Sequence, residues 1–143
     1  TVMNKDFDVQ ILTPASTLFR GKATEVVLPA FDGEVGVLAG HGDFIGLLGT
    51  GSLKIVTEGN DHWYILSSGT YRVSSGALTV LAEKGEEPEK NVDLASLTAR
   101  LNELEKILGD FKSFTPEEFP QLKLEYDQTK ARIEVYRRTQ LVN

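Results

Sequence analysis

The first half of the chain alternates apolar and polar residues in short runs that are separated by turn residues. Phe7, Val9 and Ile11 are apolar and the residues between them are polar, the period of two that is typical of a half-buried strand. Thr13-Pro14 ends this strand, because proline cannot donate to a ladder. Similar runs predict strands at 18–20, 23–28, 34–38, 52–56, 62–66, 70–74 and 77–83. Short strands in this number predict an antiparallel β-sandwich or flattened barrel.

The breaks between these runs carry turn residues. Gly21 is expected to separate the second and third strands, and the cluster at 58–61 is expected to close a hairpin. Ser75-Gly76 is a second hairpin signal. In the centre, glycine falls at positions 33, 36, 40, 42, 46, 49 and 51. That density excludes a helix, where each interior Gly costs roughly 1 kcal/mol relative to Ala, and it suits short strands and tight turns.

The pattern changes after a charged segment that contains Pro88. We predict a linker at 85–91, between a β domain at 1–84 and a helical domain at 92–143. Beyond it, apolar residues recur at alternating intervals of three and four, which predicts a stripe along one side of a helix. Asn91 or Asp93 is a candidate N-cap, and Gly109 lies near the end of the helix.

A second helix follows with the same spacing. The motif Thr115-Pro116-Glu117-Glu118 is typical of a helix start, although Pro120 favours a regular helix that begins near Pro120 itself. The short connection predicts an antiparallel two-helix hairpin. Since two helices alone bury little surface, we expect the hairpin to pack on the β domain or on another chain. The predicted stripe comprises Leu94, Leu97, Leu101, Leu104, Leu108, Phe111, Phe119, Leu122, Tyr126, Thr129, Ile133 and Tyr136.

Composition narrows the possible functions. The 143 residues are 41% hydrophobic and 25% charged, as in an ordinary soluble globular protein, and the absence of cysteine excludes disulfides and thiolate metal sites. A net charge of −6 argues against nucleic acid and against direct binding to anionic lipid. There is no apolar run of the roughly 20 residues that a membrane helix needs, so we expect any membrane association to be indirect.

Catalytic and metal sites find little support. A triad could be assembled from Ser52, His41 and Asp43, but no nucleophile-elbow motif accompanies them. His62 is the only other histidine, so a zinc site would need carboxylates. The glycines match neither a phosphate loop nor a dinucleotide fingerprint. We therefore predict no catalytic residue, no metal and no cofactor, and interpret His41 as bonded to the backbone of a tight loop.

An acidic loop with nearby aromatic residues is instead suited to docking on a polar protein surface, where aromatics anchor and charges steer. The candidate contact residues are Phe31, Asp32, Glu34, His41 and Phe44.

These residues also carry a family resemblance. The motif LP-x-x-DGE-x-G-V-L-x-GH from Leu28, followed by an apolar run and G-x-L-K-I, resembles the N-terminal domain of the epsilon subunit of F-type ATP synthases, whose mitochondrial equivalent is called delta. The resemblance extends over nearly the whole chain. It implies a non-catalytic rotor subunit of a proton- or sodium-translocating ATP synthase, in a peripheral membrane complex on the cytoplasmic face of the bacterial inner membrane.

The resemblance also implies partners. The β domain would couple the gamma shaft to the c-ring, with Glu34 and His41 at the ring-contacting positions. Gly42-Asp43 departs from the small residue and proline that are common in the family. The hairpin would lie folded or extend along the shaft, where it inhibits ATP hydrolysis and reaches the catalytic alpha and beta subunits. The basic candidates for that contact are Lys123, Lys130, Arg132, Arg137 and Arg138.

Some relatives bind ATP through an Asp-x-x-Arg-Ala signature at the start of the hairpin. Here Asp93 is followed by Leu94-Ala95-Ser96, so Ser96 occupies the position of the arginine, and Arg100 lies one turn further on. We predict weak or absent nucleotide binding. The alternative to the whole interpretation is an unrelated β-sandwich adaptor that dimerises through its leucine stripe.

Overall fold

The computed structural model describes residues 5–140, and a division into two compact units falls between Glu87 and Pro88. The first is called the β unit and the second the hairpin unit. The predicted α+β class, a β-sandwich followed by a two-helix hairpin, is confirmed. The strands are β1 Phe7–Leu12, β2 Thr17–Ala23, β3 Glu25–Ala30, β4 Gly33–Leu38, β5 Phe44–Leu48, β6 Gly51–Thr57, β7 Asn60–Ser74 and β8 Ala77–Glu86. The helices are α1 Leu94–Leu108 and α2 Phe119–Gln140.

The β unit is a single sheet that folds over itself into two layers. All strand pairs are antiparallel except β1 with β8. The first half of β7 pairs with β6 and its second half with β5, while β6 continues to β3 and β4. On its other side β7 pairs with β8, which leads to β1 and β2. The long strand β7 therefore belongs to both layers.

The bend in β7 lies at Ser68 and Gly69, which have φ angles of 41° and 135°. A side chain at Gly69 would overlap the carbonyl oxygen of Leu81 on the neighbouring strand. Only glycine adopts this backbone conformation readily and leaves room for the close approach. The alternation predicted separate strands at 62–66 and 70–74, whereas the structure has one strand, β7, with a bend.

The inward faces of both layers meet in one apolar core. Phe7, Val9 and Ile11 are buried, as their alternation predicted. Leu28, Leu53 and the other inward residues of neighbouring strands join them in a continuous cluster.

Two strand boundaries differ from the prediction. Gly21 lies within β2, opposite Val9, and the break falls at Thr24. The backbone N–H of Thr24 and its hydroxyl both donate to the carbonyl of Val56, at 2.8 and 3.1 Å, so this residue turns the chain between the layers. Strand β5 was not predicted, because its continuous apolar run does not alternate.

Strand β8 continues through Gly85 and Glu86, which the sequence analysis assigned to the linker. Gly85 lies opposite Leu66, and a side chain there would overlap that of Leu18. Glycine at position 85 therefore allows the strands to pack closely, although the surrounding segment has the composition of a linker.

Helix α1 is closed at both ends by local hydrogen bonds. Asp93 caps it by accepting from the backbone N–H of Ser96 at 3.1 Å, and the Ser96 hydroxyl donates to the same carboxylate at 2.7 Å. Gly109 ends it, with its N–H donating to the carbonyl of Glu105 at 2.9 Å. Phe111 therefore lies outside α1 and is 87% exposed, so it does not belong to the helical stripe.

Helix α2 follows a reciprocal cap. The N–H of Thr115 donates to the carboxylate of Glu118 at 2.9 Å, and the N–H of Glu118 donates to the hydroxyl of Thr115 at 3.3 Å. The regular helix begins at Phe119, as Pro120 in its first turn predicted.

Candidate functional site

The outer face of the sheet around β5 exposes large apolar side chains. Leu47 lies opposite Thr70, which lies opposite Leu81, so these three residues form one row across β5, β7 and β8. Ile45 precedes Leu47 by two residues and shares its face. Ile45 is 70%, Leu47 61% and Leu81 50% exposed. We call Ile45, Leu47 and Leu81 the β5 face. Exposed large apolar side chains grouped in this way are typical of protein–protein contact sites.

Strand β5 reaches this position because a glycine lets it cross a buried ring. Gly46 lies over Tyr71, and a side chain at Gly46 would collide with that ring. Phe44 contacts the same ring, with 5.8 Å between the two ring centroids. Burial raises the pKa of Tyr71, and the negative charge of Asp32 raises it further. Tyr71 therefore connects Phe44 and Asp32 to the underside of β5.

The turn between β3 and β4 is joined to the end of β5. The N–H of Phe31 donates to the carbonyl of Leu47 at 2.8 Å, so the Phe31 backbone lies beside Leu47. The Phe31 side chain is 76% exposed. Gly33 has a φ of 133°, which lets the chain reverse into β4. The structure thus brings Phe31, Asp32 and Phe44 together around β5.

Glu34 and His41 are placed by different contacts. Glu34 lies exposed on β4, opposite Pro29. The N–H of His41 donates to the carbonyl of Leu38 at 3.1 Å, and its Nδ1 lies 2.7 Å from the carbonyl oxygen of Gly42. Since a carbonyl can only accept, Nδ1 carries the proton in this arrangement. The imidazole is thus bonded to the backbone of its own loop.

Asp43 ties this loop to another turn. Its carboxylate accepts from the N–H of Ser75 at 3.2 Å, in the turn between β7 and β8. Ser75 has a φ of 52° and Gly76 a φ of 76°, the left-handed pair that a two-residue hairpin needs. Asp43, at the position where this sequence departs from the family motif, therefore makes a specific contact with the β7–β8 turn. Sequence reasoning noted the departure but missed this role, because the two residues lie far apart in the chain.

These contacts do not assemble a catalytic triad. His41 Nδ1 faces a backbone carbonyl, and the carboxylate of Asp43 bonds to a backbone N–H, so neither orients the other. Within residues 5–140, no cluster of three or more His, Cys, Asp or Glu side chains could hold a metal ion. Neither helix in that range has the length and apolar character needed to cross a membrane.

In the hairpin unit, a bidentate ion pair joins the two helices. The Arg100 guanidinium donates from Nε to Glu125 Oε2 and from Nη2 to Glu125 Oε1, each at 2.7 Å. A third bond runs from Nη1 to Glu103 at 2.9 Å. The bonds from Arg100 lower the pKa of the Glu125 carboxyl, and the bonds to Glu125 raise the pKa of Arg100.

The basic candidates differ in their surroundings. Lys123 bonds to Asp127 at 2.8 Å, and Lys123 and Lys130 lie over the Tyr126 ring at 5.4 and 6.0 Å from its centroid. Arg132 is half-buried, whereas Arg137 and Arg138 are exposed in the last turn of α2. Arg138 bonds to Glu134 at 2.9 Å.

The apolar stripe is unevenly covered. Leu104 is the one buried residue of α1, and Ile133 is buried in α2. Phe119 is exposed. The half-buried members are Leu94, Leu97, Leu101, Leu108, Leu122, Tyr126 and Tyr136.

The β5 face was not among the contact surfaces predicted from the sequence. The run from Phe44 to Leu48 does not alternate, and only the structure shows that Ile45 and Leu47 share one face, opposite the polar residues Arg72 and Thr70. That combination indicates an apolar strand surface beside a polar one.

Comparison with solved structures places the fold among ATP synthase chains. A chain of the Euglena gracilis mitochondrial ATP synthase, in an OSCP/F1/c-ring assembly, superposes with a TM-score of 0.75 at 20% identity. It covers 91% of this chain and 80% of its own length. A chain of the Tetrahymena thermophila mitochondrial ATP synthase central stalk and c-ring gives a TM-score of 0.59 at 9% identity, over 94% of this chain and 99% of its own. At these identities the likeness is one of fold.

Sequence comparison is more specific. The ATP synthase epsilon chain of Synechococcus sp. (strain JA-2-3B'a(2-13)) is 32% identical over 126 residues, 88% of this chain and 90% of that one. The epsilon chain of Nitratidesulfovibrio vulgaris (strain DSM 19637 / Miyazaki F) is 37% identical over 92 residues, 64% of this chain and 68% of that one. The family model for the ATP synthase delta/epsilon chain, beta-sandwich domain, matches residues 6–88. This chain therefore belongs to the ATP synthase delta/epsilon chain family.

Proposed function

We propose that this chain is a non-catalytic central-stalk subunit of an F-type ATP synthase, in which the β unit links the gamma shaft to the c-ring. The observation that carries the proposal is the β5 face, an exposed apolar surface on a unit with its own buried core. A subunit of this kind belongs to a peripheral membrane complex, on the cytoplasmic face of the inner membrane in a bacterium. Family membership sets aside the alternative of an adaptor unrelated to rotary motors.

The β unit offers two surfaces of different chemistry. The β5 face is apolar, and permanent protein interfaces are more apolar than transient ones. We assign this face to the gamma shaft. The loops that carry Asp32, Glu34 and His41 are polar and exposed or half-exposed. Polar and charged groups give specificity and orientation more than affinity, and we assign these loops, with Phe31 and Phe44 beside them, to the polar loops of the c-ring.

Substitution on the β5 face tests the gamma contact. Leu47→Lys places a charge on the apolar surface and is expected to weaken binding to purified gamma by at least about tenfold, measured by calorimetry. Leu38→Lys is the matched control, since Leu38 is 56% exposed on β4 and lies outside the β5 face. Thermal unfolding establishes that both variants fold. If Leu47→Lys binds gamma as tightly as Leu38→Lys does, the assignment of this face is wrong.

The c-ring contact is tested separately from the gamma contact. Glu34→Gln and His41→Ala are expected to leave gamma binding unchanged and to lower ATP-driven ion pumping by the reassembled enzyme. Normal pumping by both variants would contradict the assignment of these loops.

The hairpin unit is proposed to regulate ATP hydrolysis by contact with the catalytic alpha and beta subunits. Its support is the set of basic side chains along α2, Lys123, Lys130, Arg132, Arg137 and Arg138, which suits an acidic partner. A chain truncated after Lys90 should retain the β unit and its gamma binding while relieving inhibition of hydrolysis. Unchanged hydrolysis by the reassembled truncated complex would remove the regulatory role and leave the coupling role intact.

Nucleotide binding to the hairpin is proposed to be weak or absent. Asp93 and Ser96 are bonded to each other in the α1 cap, and Arg100 is bonded to Glu125 and Glu103. A phosphate would have to displace these charge-assisted bonds. Calorimetry that detects ATP binding at millimolar concentration would contradict this proposal.

A further inference from the structure

In the hairpin, α1 buries little of its apolar stripe, whereas α2 buries Thr129, Ala131, Ile133 and Val135. Leu104 is fully buried, and the other leucines of the α1 stripe are only half-buried. A partly covered side chain contributes less to stability than a fully buried one, in proportion to the apolar area removed from water. The polar contacts that join α1 to α2 therefore supplement a limited apolar burial on the side of α1.

The polar contact with the best geometry is the pair of Arg100 and Glu125, which lie 25 residues apart on opposite helices. Both bonds of the fork are 2.7 Å long, and the two side chains are 38% and 37% exposed. Glu103, one turn further along α1, holds the same guanidinium at 2.9 Å. The bond to Glu103 thus orients the Arg100 side chain within α1. This orientation lowers the conformational entropy that is lost when Arg100 bonds to Glu125.

Two other ion pairs of the hairpin each lie within a single helix. Lys123 with Asp127 and Arg138 with Glu134 are both i,i+4 pairs within α2. The Tyr126 hydroxyl reaches Glu105 across the helices at 3.4 Å, a long and weak bond. The lowered pKa of Glu125 has the Arg100 bond as its largest cause, which agrees with a pair that is formed in the folded hairpin.

We propose that the Arg100–Glu125 pair is a latch that keeps α1 and α2 together, so that the hairpin moves as one arm until this pair breaks. The consequence for ATP hydrolysis rests on the proposed function, whereas the latch itself is a property of the isolated chain. The pair is partly exposed, so the latch is reversible: breaking it returns both charges to water and does not strand them in an apolar interior.

The latch is tested on the full chain by amide hydrogen exchange. Arg100→Gln and Glu125→Gln should each raise the opening equilibrium of α1 on the order of fivefold, the upper range for a partly exposed bidentate pair. The double variant Arg100→Gln with Glu125→Gln should open no more than either single variant, because all three lack the same bond. Charge reversal is avoided, since Arg100→Glu would face Glu103.

Two matched controls separate the latch from ordinary helix stabilisation. Asp127→Asn removes an ion pair within α2, and Glu103→Gln removes the bond within α1. Both should change α1 opening by less than about twofold. If Glu125→Gln opens α1 no more than Asp127→Asn, or if the effects of Arg100→Gln and Glu125→Gln simply add, the latch is wrong.

Separation of the two helices is measured directly as the distance between two spin labels. The chain contains no cysteine, so Ala99→Cys and Gln121→Cys, both at exposed positions, accept a pair of spin labels without further changes. Glu125→Gln should raise the fraction of chains with widely separated labels on the order of fivefold, and an unchanged fraction contradicts the latch. Exchange of the β-unit amides shows that each variant is folded. Gamma binding and hydrolysis take no part in these measurements, so they test the proposed function separately.

Discussion

The two units of the chain are stabilised in different ways. The β unit encloses a continuous cluster of buried side chains that come from both layers of its sheet. In the hairpin unit, α1 contributes Leu104 as its buried residue, and an ion pair crosses between the helices. A unit whose shape is fixed by internal packing presents the same surface at all times, whereas a thin interface with polar bonds opens at low cost. The first property suits a docking block and the second suits a regulatory arm.

The largest effect is expected at the bend of β7. Gly69→Ala should destabilise the β unit by about 4 kcal/mol or more, because the added methyl group overlaps the carbonyl oxygen of Leu81 and the φ of 135° is strained for any other residue. Denaturant unfolding of the β unit measures the change.

Gly59→Ala is the matched control for this substitution. Gly59 also has a positive φ, 91°, but nothing lies within 4 Å of the position that a side chain would occupy. We expect a cost of about 1 kcal/mol from backbone strain alone. Equal costs at the two positions would show that the close approach at the bend does not determine the shape of the β unit.

The next effect concerns the hairpin. Leu104→Ala removes the one buried side chain of α1 and should lower the free energy of opening of that helix by about 3 kcal/mol. Hydrogen exchange of the α1 amides reports the loss, with the β-unit amides as an internal reference. Leu94→Ala, at a half-buried position, should cost about 1 kcal/mol. A small effect at Leu104 would mean that polar bonds alone hold the hairpin.

The β unit also shows which features of the fold could be predicted from the sequence. In the β unit, the alternation of Phe7, Val9 and Ile11 follows directly from one buried face, so the strands could be found from their period. The bend at Ser68-Gly69 had the composition of a turn, and the run that contains Ile45 and Leu47 did not alternate. Both departures come from the folding of one sheet into two layers, which no short window of sequence records.

In the candidate site, residues that are close in the chain could be suggested from the sequence, but contacts between distant residues could not. Loop composition and the family motif indicated Phe31, Glu34 and His41, since these residues lie close together in the chain. The bond from Ser75 to Asp43 and the pair of Arg100 and Glu125 join residues 32 and 25 positions apart. Many charged residues could have been their partners, and the choice among them depends on the tertiary fold.

The smallest effect is the pH dependence of the hairpin. The folded state lowers the pKa of Glu125, chiefly through the bonds from Arg100, so the pair stabilises the hairpin above the ordinary glutamate value of 4.5. That contribution is lost as the pH falls through the lowered pKa. We expect a constant fraction of chains with widely separated labels from pH 7 to 5 and a larger fraction below about pH 4, with an opening equilibrium that rises less than about fivefold because the pair is partly exposed.

Two variants distinguish the contributions of Glu125 and Asp93 to this pH dependence. Arg100→Gln should remove the larger part of the contribution of Glu125, because the bonds from Arg100 are the main cause of its lowered pKa, while the charge of Arg132 retains a smaller part. The contribution of Asp93 remains in that variant, since Ser96 lowers the pKa of Asp93 and the cap weakens in the same direction as the pH falls. Ser96→Ala removes the side-chain bond at the cap and leaves the pair intact. If Arg100→Gln and the unchanged chain open with the same pH profile, the ion pair does not contribute to the stability of the hairpin. The smaller apolar burial of α1 would then account alone for the difference in stability between the hairpin unit and the β unit.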